Sequence, residues 1–199
     1  MPDKVLVAIT GSSGSLYAEK LILELLPRVS RVYVIVSETG STVVPYELPP
    51  SSPLNAILDG KYKGEGFDKI RVFANNDFYA PVASGSSAPD AMVITPCSMG
   101  SLARVRLGVS QTLIERAADV VMKEGRSLIV CPRESPLSVL HLENMLALAR
   151  MGVKIIPLAP PFYQHPKSIE DLIDFMTGKV LEAMGFQHEL YKPWNERRC

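Results

Sequence analysis

The chain has 199 residues, and its 21 Lys and Arg balance 21 Asp and Glu to a formal net charge of zero. That balance argues against nucleic acid or an anionic membrane surface as partner, so any cationic site must be a local cluster. A chain of this length buries roughly 70% of its unfolded surface, and residues 1–199 are predicted to form one domain.

The run "KVLVAI" at 4–9 predicts a strand covered on both faces. It leaves through "TGSSG", richer in small residues than a corner requires, and enters the helical stretch "SLYAEKLILELLP". There Glu19, Lys20 and Glu24 share one face, and Leu16, Leu23 and Leu26 are predicted to line the other. A second strand follows at 31–36, "RVYVIV". Residues 41–90 break the rhythm with Pro, Ser, Gly and Lys, and are predicted to be an irregular insertion with a short helix and an edge strand.

Strands resume at 91–95, "AMVIT", at 127–131, "SLIVC", and at 153–157, "VKIIP". Between them "SQTLIERAADVVMKEG" predicts a helix closing on Gly125, and "SPLSVLHLENMLALARMG" one opening with Ser135 as N-cap and Pro136 in the first turn. "SIEDLIDFMTGKVLEAMG" opens with Ser168 and Asp171 at capping-box spacing. The polar stretch at 186–199 reads as an arm lying on another surface. Strand–helix alternation with short loops predicts an α/β fold, a parallel sheet wound on both faces.

In such a sheet, ligands sit beyond the carboxyl ends of the strands. The loops there hold Gly11 to Gly14, Ser37 to Gly40, Cys97 to Ser101, Arg133 with Glu134, and Tyr163 after two prolines. Each has a plain structural reading as well. "GSSG" is either an anion cradle at a helix start or an ordinary turn; it lacks the G-x-G-x-x-G spacing and is followed by no Walker lysine. Cys97 is a nucleophile or a buried thiol. Arg116 and Lys123, seven apart on one helix, form an anion site or a solvated stripe. Arg133 and Glu134 are a site pair or a surface ion pair, and Tyr163 is functional or packs its loop. His165 and His188 read as surface residues. No His, Cys, Asp or Glu set has metal-ligand spacing, and no Ser-His-Asp arrangement is evident. Cys97, Cys131 and Cys199 are odd in number and far apart, suiting a reducing cytoplasm better than a disulfide framework. No window reaches the ~18 unbroken apolar residues of a membrane span, and "MPDKVLVAITG" lacks a signal-peptide pattern.

Taken together, "ITGSSGS", "NDFYAPVASGS", "VITPCSMGSLA", "RAADVVMKE", "PRESPLSVLHLENMLAL", "PPFYQHPKSIEDLIDF" and "LYKPW" resemble the UbiX family of flavin prenyltransferases, older members of which were labelled aromatic acid decarboxylases. The resemblance covers both ends and the region from about residue 76 onward. It implies a Rossmann-like (flavodoxin-like) three-layer flavoprotein with a mainly parallel central sheet. It also implies a homododecamer with FMN at the interface between subunits. The implied reaction joins a dimethylallyl group from dimethylallyl phosphate to N5 and C6 of reduced FMN, and the product serves a UbiD-type decarboxylase. No metal is used, so protein cations and donors must hold the leaving phosphate.

Residue by residue, the resemblance implies Arg116, Lys123 and Glu134 as a phosphate-side catalytic cluster, and Tyr163 with Lys179 on dimethylallyl phosphate. Gly11, Ser12, Ser13, Ser37, Ser98, Met99, Gly100, Ser101 and Arg133 would hold FMN, with Ser13 also near the reacting N5. Tyr191 and Trp194 would shield the allyl cation. Lys179 stands where many members carry arginine, and Thr112 where asparagine is usual. Residues 41–75 match poorly, and Glu47 is the candidate there for the family's acidic proton-transfer group. Two alternatives stand beside this reading: a non-catalytic FMN-binding partner of a decarboxylase, and a flavin-dependent cysteine-type decarboxylase. The latter relies on a histidine in the insertion region, and residues 1–140 contain none.

Overall fold

Unbroken Val and Ile runs make strands with two covered faces, and the first strand demonstrates it. In the computed structural model, which describes residues 1–192, β1 (Lys4–Ile9) sends Val5, Val7 and Ile9 into one core and Leu6 and Ala8 into another. This is the period-two alternation of a pleated strand, used on both sides. The other strands are β2 (Arg31–Val36), β3 (Ile70–Phe73), β4 (Ala91–Cys97), β5 (Ser127–Pro132) and β6 (Lys154–Ile155). All pair in parallel, in the order β3-β2-β1-β4-β5-β6. That is the doubly wound Rossmann order, and the chain reverses direction across the sheet between β1 and β4, where a crevice opens.

The helices are α1 (Ser15–Leu25), α2 (Glu38–Glu47), α3 (Pro53–Leu58), α4 (Met99–Leu107), α5 (Leu113–Lys123), α6 (Val139–Arg150) and α7 (Ile169–Met184). α1 and α7 cover one face of the sheet with Leu21, Ile22, Leu25, Val180 and Leu181; α4, α5 and α6 cover the other with Leu102, Leu113, Val121 and Leu148. Each large apolar side chain buried in this way contributes about 1.5–3 kcal/mol. Among the described residues, no helix is long and apolar enough to cross a membrane.

Several elements differ from the sequence reading. The stretch 41–90 holds most of α2, all of α3, β3 and three short 3-10 turns. α2 runs through Pro45 because Ser37 caps its start and Gly40 and Val44 are buried, so packing outweighs one missing backbone donor. α6 begins at Val139: Ser138 and His141 form a reciprocal capping box, leaving Ser135 and Pro136 in the loop. On α1 the buried stripe is Ala18, Leu21, Ile22 and Leu25, while Leu16 is 40% exposed. β6 has two residues, although Ile156 and Leu158 N–H groups still bond to Val130 and Pro132 carbonyls beside β5. The Ser168–Asp171 capping box of α7 forms as the spacing predicts.

Candidate active site

Parallel strands put their carboxyl ends on one rim, and three helices begin there behind hydroxyl caps. Ser37 Oγ accepts the Gly40 N–H at 3.0 Å for α2, Ser98 Oγ accepts the Ser101 N–H at 3.4 Å for α4, and Thr112 Oγ1 accepts the Glu115 N–H at 3.5 Å for α5. The first turns of all three line one cleft of about 330 Å3 at the β1/β4 crevice. Helix starts carry unpaired donors and the positive end of the dipole, so this convergence favours an anion. Thr112 performs the capping role that an asparagine would also perform.

Gly11 lies in the same cleft, and its lack of a side chain is required. A Cβ there would come within 2.6 Å of Thr39 Cβ, so only glycine lets the loop after β1 approach the start of α2. The cleft also holds Arg104, from the middle of α4. Its Nε donates to Glu115 Oε1, and its second terminal nitrogen lies 3.3 Å from Ser101 Oγ. Glu115 is 2% exposed, and its other carboxylate oxygen accepts the Gln111 and Thr112 N–H groups at 2.9 and 3.0 Å. A buried carboxylate without partners would cost several kcal/mol; these bonds and the guanidinium offset that cost.

The start of α1 is occupied differently from the sequence expectation. There the Gly14 and Ser15 N–H groups donate to the carboxylate of Glu47, at 3.0 and 2.8 Å to Oε2, with Ser13 beside it. The "GSSG" turn is thus an anion cradle, but its anion is a side chain from the end of α2. Burial pushes the Glu47 carboxyl up, yet the hydroxyl and N–H dipoles of Ser13, Ser15 and Gly14 around it outweigh that and hold the group below its usual value. Ser12 faces elsewhere, donating to the Arg133 carbonyl at 2.6 Å and tying the loops after β1 and β5 together.

The remaining predicted residues fall into two further groups and a loop. Arg116 and Lys123 do share a face of α5. Arg116 donates to the Ala83 carbonyl at 3.1 Å and to Asp119 at 3.0 Å, and Lys123 pairs with Glu124 at 2.9 Å beside Gly85. On α7, Lys179 pairs with Glu182 at 2.7 Å and lies over the rings of Phe175 and Tyr191. Tyr163 meets Phe175 edge-on at 6.0 Å, and Tyr191 stacks on Phe175 at 4.4 Å. Glu182, and then Tyr191, hold the Lys179 ammonium above its usual value. Arg133 and Glu134 are exposed on the β5–α6 loop, where Glu134 Oε1 accepts the Ser135 N–H at 3.0 Å. Met99, the first residue of α4, is buried, and Gly100 is exposed beside Arg104.

The predicted cluster therefore does not assemble within one chain. The α5 and α7 groups lie on helices packed against opposite faces of the sheet. Cys97 is fully buried, and that burial pushes its thiol well above its usual value, which suits a packed thiol rather than a nucleophile. The His188 side chain is 4% exposed, packed against Gly178 and Tyr191, and is not the surface residue expected. Trp194 lies outside the described residues. Among those residues, no group of three His, Cys, Asp or Glu side chains could hold a metal ion.

The sequence profile of the family described as Flavoprotein matches residues 2–181. Flavin prenyltransferase UbiX of Pseudomonas aeruginosa is 43% identical over 201 residues, covering 98% of this chain and 96% of the relative. The chain belongs to the UbiX flavin prenyltransferase family. Among solved structures similar to it is AnUbiX in complex with FMN and dimethylallyl pyrophosphate, with a TM-score of 0.86, 36% identity and 98% coverage of each chain. Another is the dodecameric FMN-dependent UbiX-like decarboxylase of Escherichia coli O157:H7, with a TM-score of 0.85, 37% identity, and 96% and 98% coverage.

Against this UbiX background, the sequence reading missed Asn75, Arg104 and Glu115 as cleft residues. Asn75 follows β3, which the pattern did not locate, and its side chain accepts the Ile114 N–H at 3.1 Å to help cap α5. Arg104 and Glu115 are eleven apart on two different helices, and only the packing of α4 against α5 joins them.

Proposed function

We propose that the chain acts as a metal-independent flavin prenyltransferase. It joins the dimethylallyl group of dimethylallyl phosphate to N5 and C6 of reduced FMN and delivers prenylated FMN to a UbiD-type decarboxylase. The observation that carries the reading is the pairing of two features on one rim. A cleft of three helix starts with Arg104 suits a phosphate ester, and an ionised carboxylate, Glu47, sits on the Gly14 and Ser15 N–H groups at the start of α1. The donor set fits FMN: the positive end suits its phosphate, and the Gly11 loop leads from there towards Ser13.

In this reading Glu47 is the family's acidic group. Bond formation at N5 displaces a proton, closing the ring at C6 displaces another, and the alkene takes one up. Glu47, beside Ser13, moves these protons, a role suited to an ionised base held in place by two backbone donors. Arg116 and Lys123 hold the departing phosphate with Glu134, while Tyr163 and Lys179 hold the donor from a neighbouring copy. Lys179 provides a point charge where an arginine would provide a fork.

A homo-oligomer, proposed to be a dodecamer, brings these groups together. It also covers the unusually apolar exposed face of α6, where Val139, Leu140, Leu142 and Leu146 are each more than half exposed. A cytoplasmic setting agrees with the free buried thiols of Cys97 and Cys131. The test is to incubate the protein with reduced FMN and dimethylallyl phosphate and weigh the released flavin. A gain of one C5 unit supports transfer; bound but unmodified FMN favours a carrier.

A further inference from the structure

We propose that Arg104, held side-on by the buried carboxylate of Glu115, grips the phosphate of FMN, and that Glu115 is its positioning residue. The inference rests on the flavin reading and assigns one end of that ligand.

The Glu115 carboxylate is enclosed, fixed by two backbone N–H groups, and takes the Nε edge of Arg104. Only the outer edge of the guanidinium, its two terminal nitrogens, is left to face the cleft. One of these lies beside Ser101 Oγ, and the other lies over Gly100, where a Cβ would meet it at 3.4 Å. That edge is the part of an arginine that matches two phosphate oxygens. An arginine meant only to neutralise Glu115 could use its terminal fork for that purpose. Here it uses its Nε side and remains 45% exposed.

The alternative cradle for the phosphate, at the start of α1, already carries Glu47. A second anion there would meet like charge and find the Gly14 and Ser15 donors taken. The two ends of the rim are thus electrostatically opposite: Arg104 with three helix starts at one, and the Glu47 carboxylate at the other. A ligand with a dianionic tail and a ring that exchanges protons fits this polarity in one orientation, tail to Arg104.

Riboflavin, which lacks the phosphate, separates this contact from contacts to the ring. Binding of FMN and riboflavin is measured by quenching of flavin fluorescence for the wild type, Arg104→Lys, Glu115→Gln and the double variant Arg104→Ala/Glu115→Gln, with thermal melting to establish folding. The double variant leaves no unpaired buried charge. It should lose about tenfold to a hundredfold in FMN affinity while binding riboflavin as the wild type does. Arg104→Lys keeps the charge and should lose less. Glu115→Gln should narrow the preference for FMN over riboflavin without changing riboflavin binding. Equal losses for both flavins, or an unchanged preference for FMN in the folded double variant, would overturn the assignment. A wild type that binds neither flavin would overturn the flavin reading itself, and this assignment with it.

Discussion

The Glu47 carboxylate accepts the Gly14 and Ser15 N–H groups, so the end of α2 closes over the start of α1. Residues 32 and 33 apart are joined because the loop after β1 and the last turn of α2 share the same rim. Replacing Glu47 by Gln keeps the shape and removes the charge. FMN binding should persist, while the rate of prenylation in single-turnover assays should fall by about a hundredfold to ten-thousandfold, the range for loss of a general base.

The same contact makes a prediction about acid. In the fold the Glu47 carboxyl is held below its ordinary value of 4.5, so the ionised form is the stabilised one. Its contribution is complete above that value and is lost as pH falls through the lower folded value. At neutral pH Glu47→Gln should melt lower by the equivalent of about 1 kcal/mol, a typical capping contribution. Melting curves of the two proteins should converge as pH falls below 4.5.

Gly11 is tested by adding one carbon. The Cβ of Gly11→Ala would press on Thr39, forcing the loops after β1 and β2 apart at the cleft. The protein should fold, because the residue lies outside β1, but FMN affinity should drop by roughly tenfold or more in a fluorescence titration. Strain of this kind costs about 1–3 kcal/mol.

Arg133→Ala should weaken FMN retention, read from the yellow colour of the purified protein. The loop itself should hold its position, because the bond from Ser12 goes to the Arg133 backbone carbonyl and survives the substitution. Undiminished colour would remove the Arg133 side chain from the flavin site.

Much of this architecture was legible in the sequence. The Val and Ile runs marked β1, β2, β4 and β5 within a residue or two, because strands buried on both faces have no polar alternation to blur them. α2 was hidden by Pro45, whose cost is offset by burial of Gly40 and Val44. α4 was hidden by its run of Ser, Gly and Arg, which is polar because one side of that helix faces the cleft. The start of α6 was misplaced because Ser135-Pro136 and Ser138 are both plausible beginnings, and the His141 side chain, which no propensity reports, decides between them. The "GSSG" turn announced an anion, but the sequence alone did not identify it as Glu47. Arg104 with Glu115 is a purely tertiary pair.

The separation of Lys123 on α5 from Lys179 on α7, across the sheet from one another, leads to the most direct test. Lys123→Ala and Lys179→Ala are each expected to form no C5-modified flavin alone. When the two variants are unfolded together and reassembled into mixed oligomers, some pockets should regain both lysines from different copies, and part of the wild-type yield of prenylated FMN should return. Mixed oligomers that bind FMN yet form no prenylated product, or either variant turning over at the full rate on its own, would contradict a site gathered between copies around the departing phosphate.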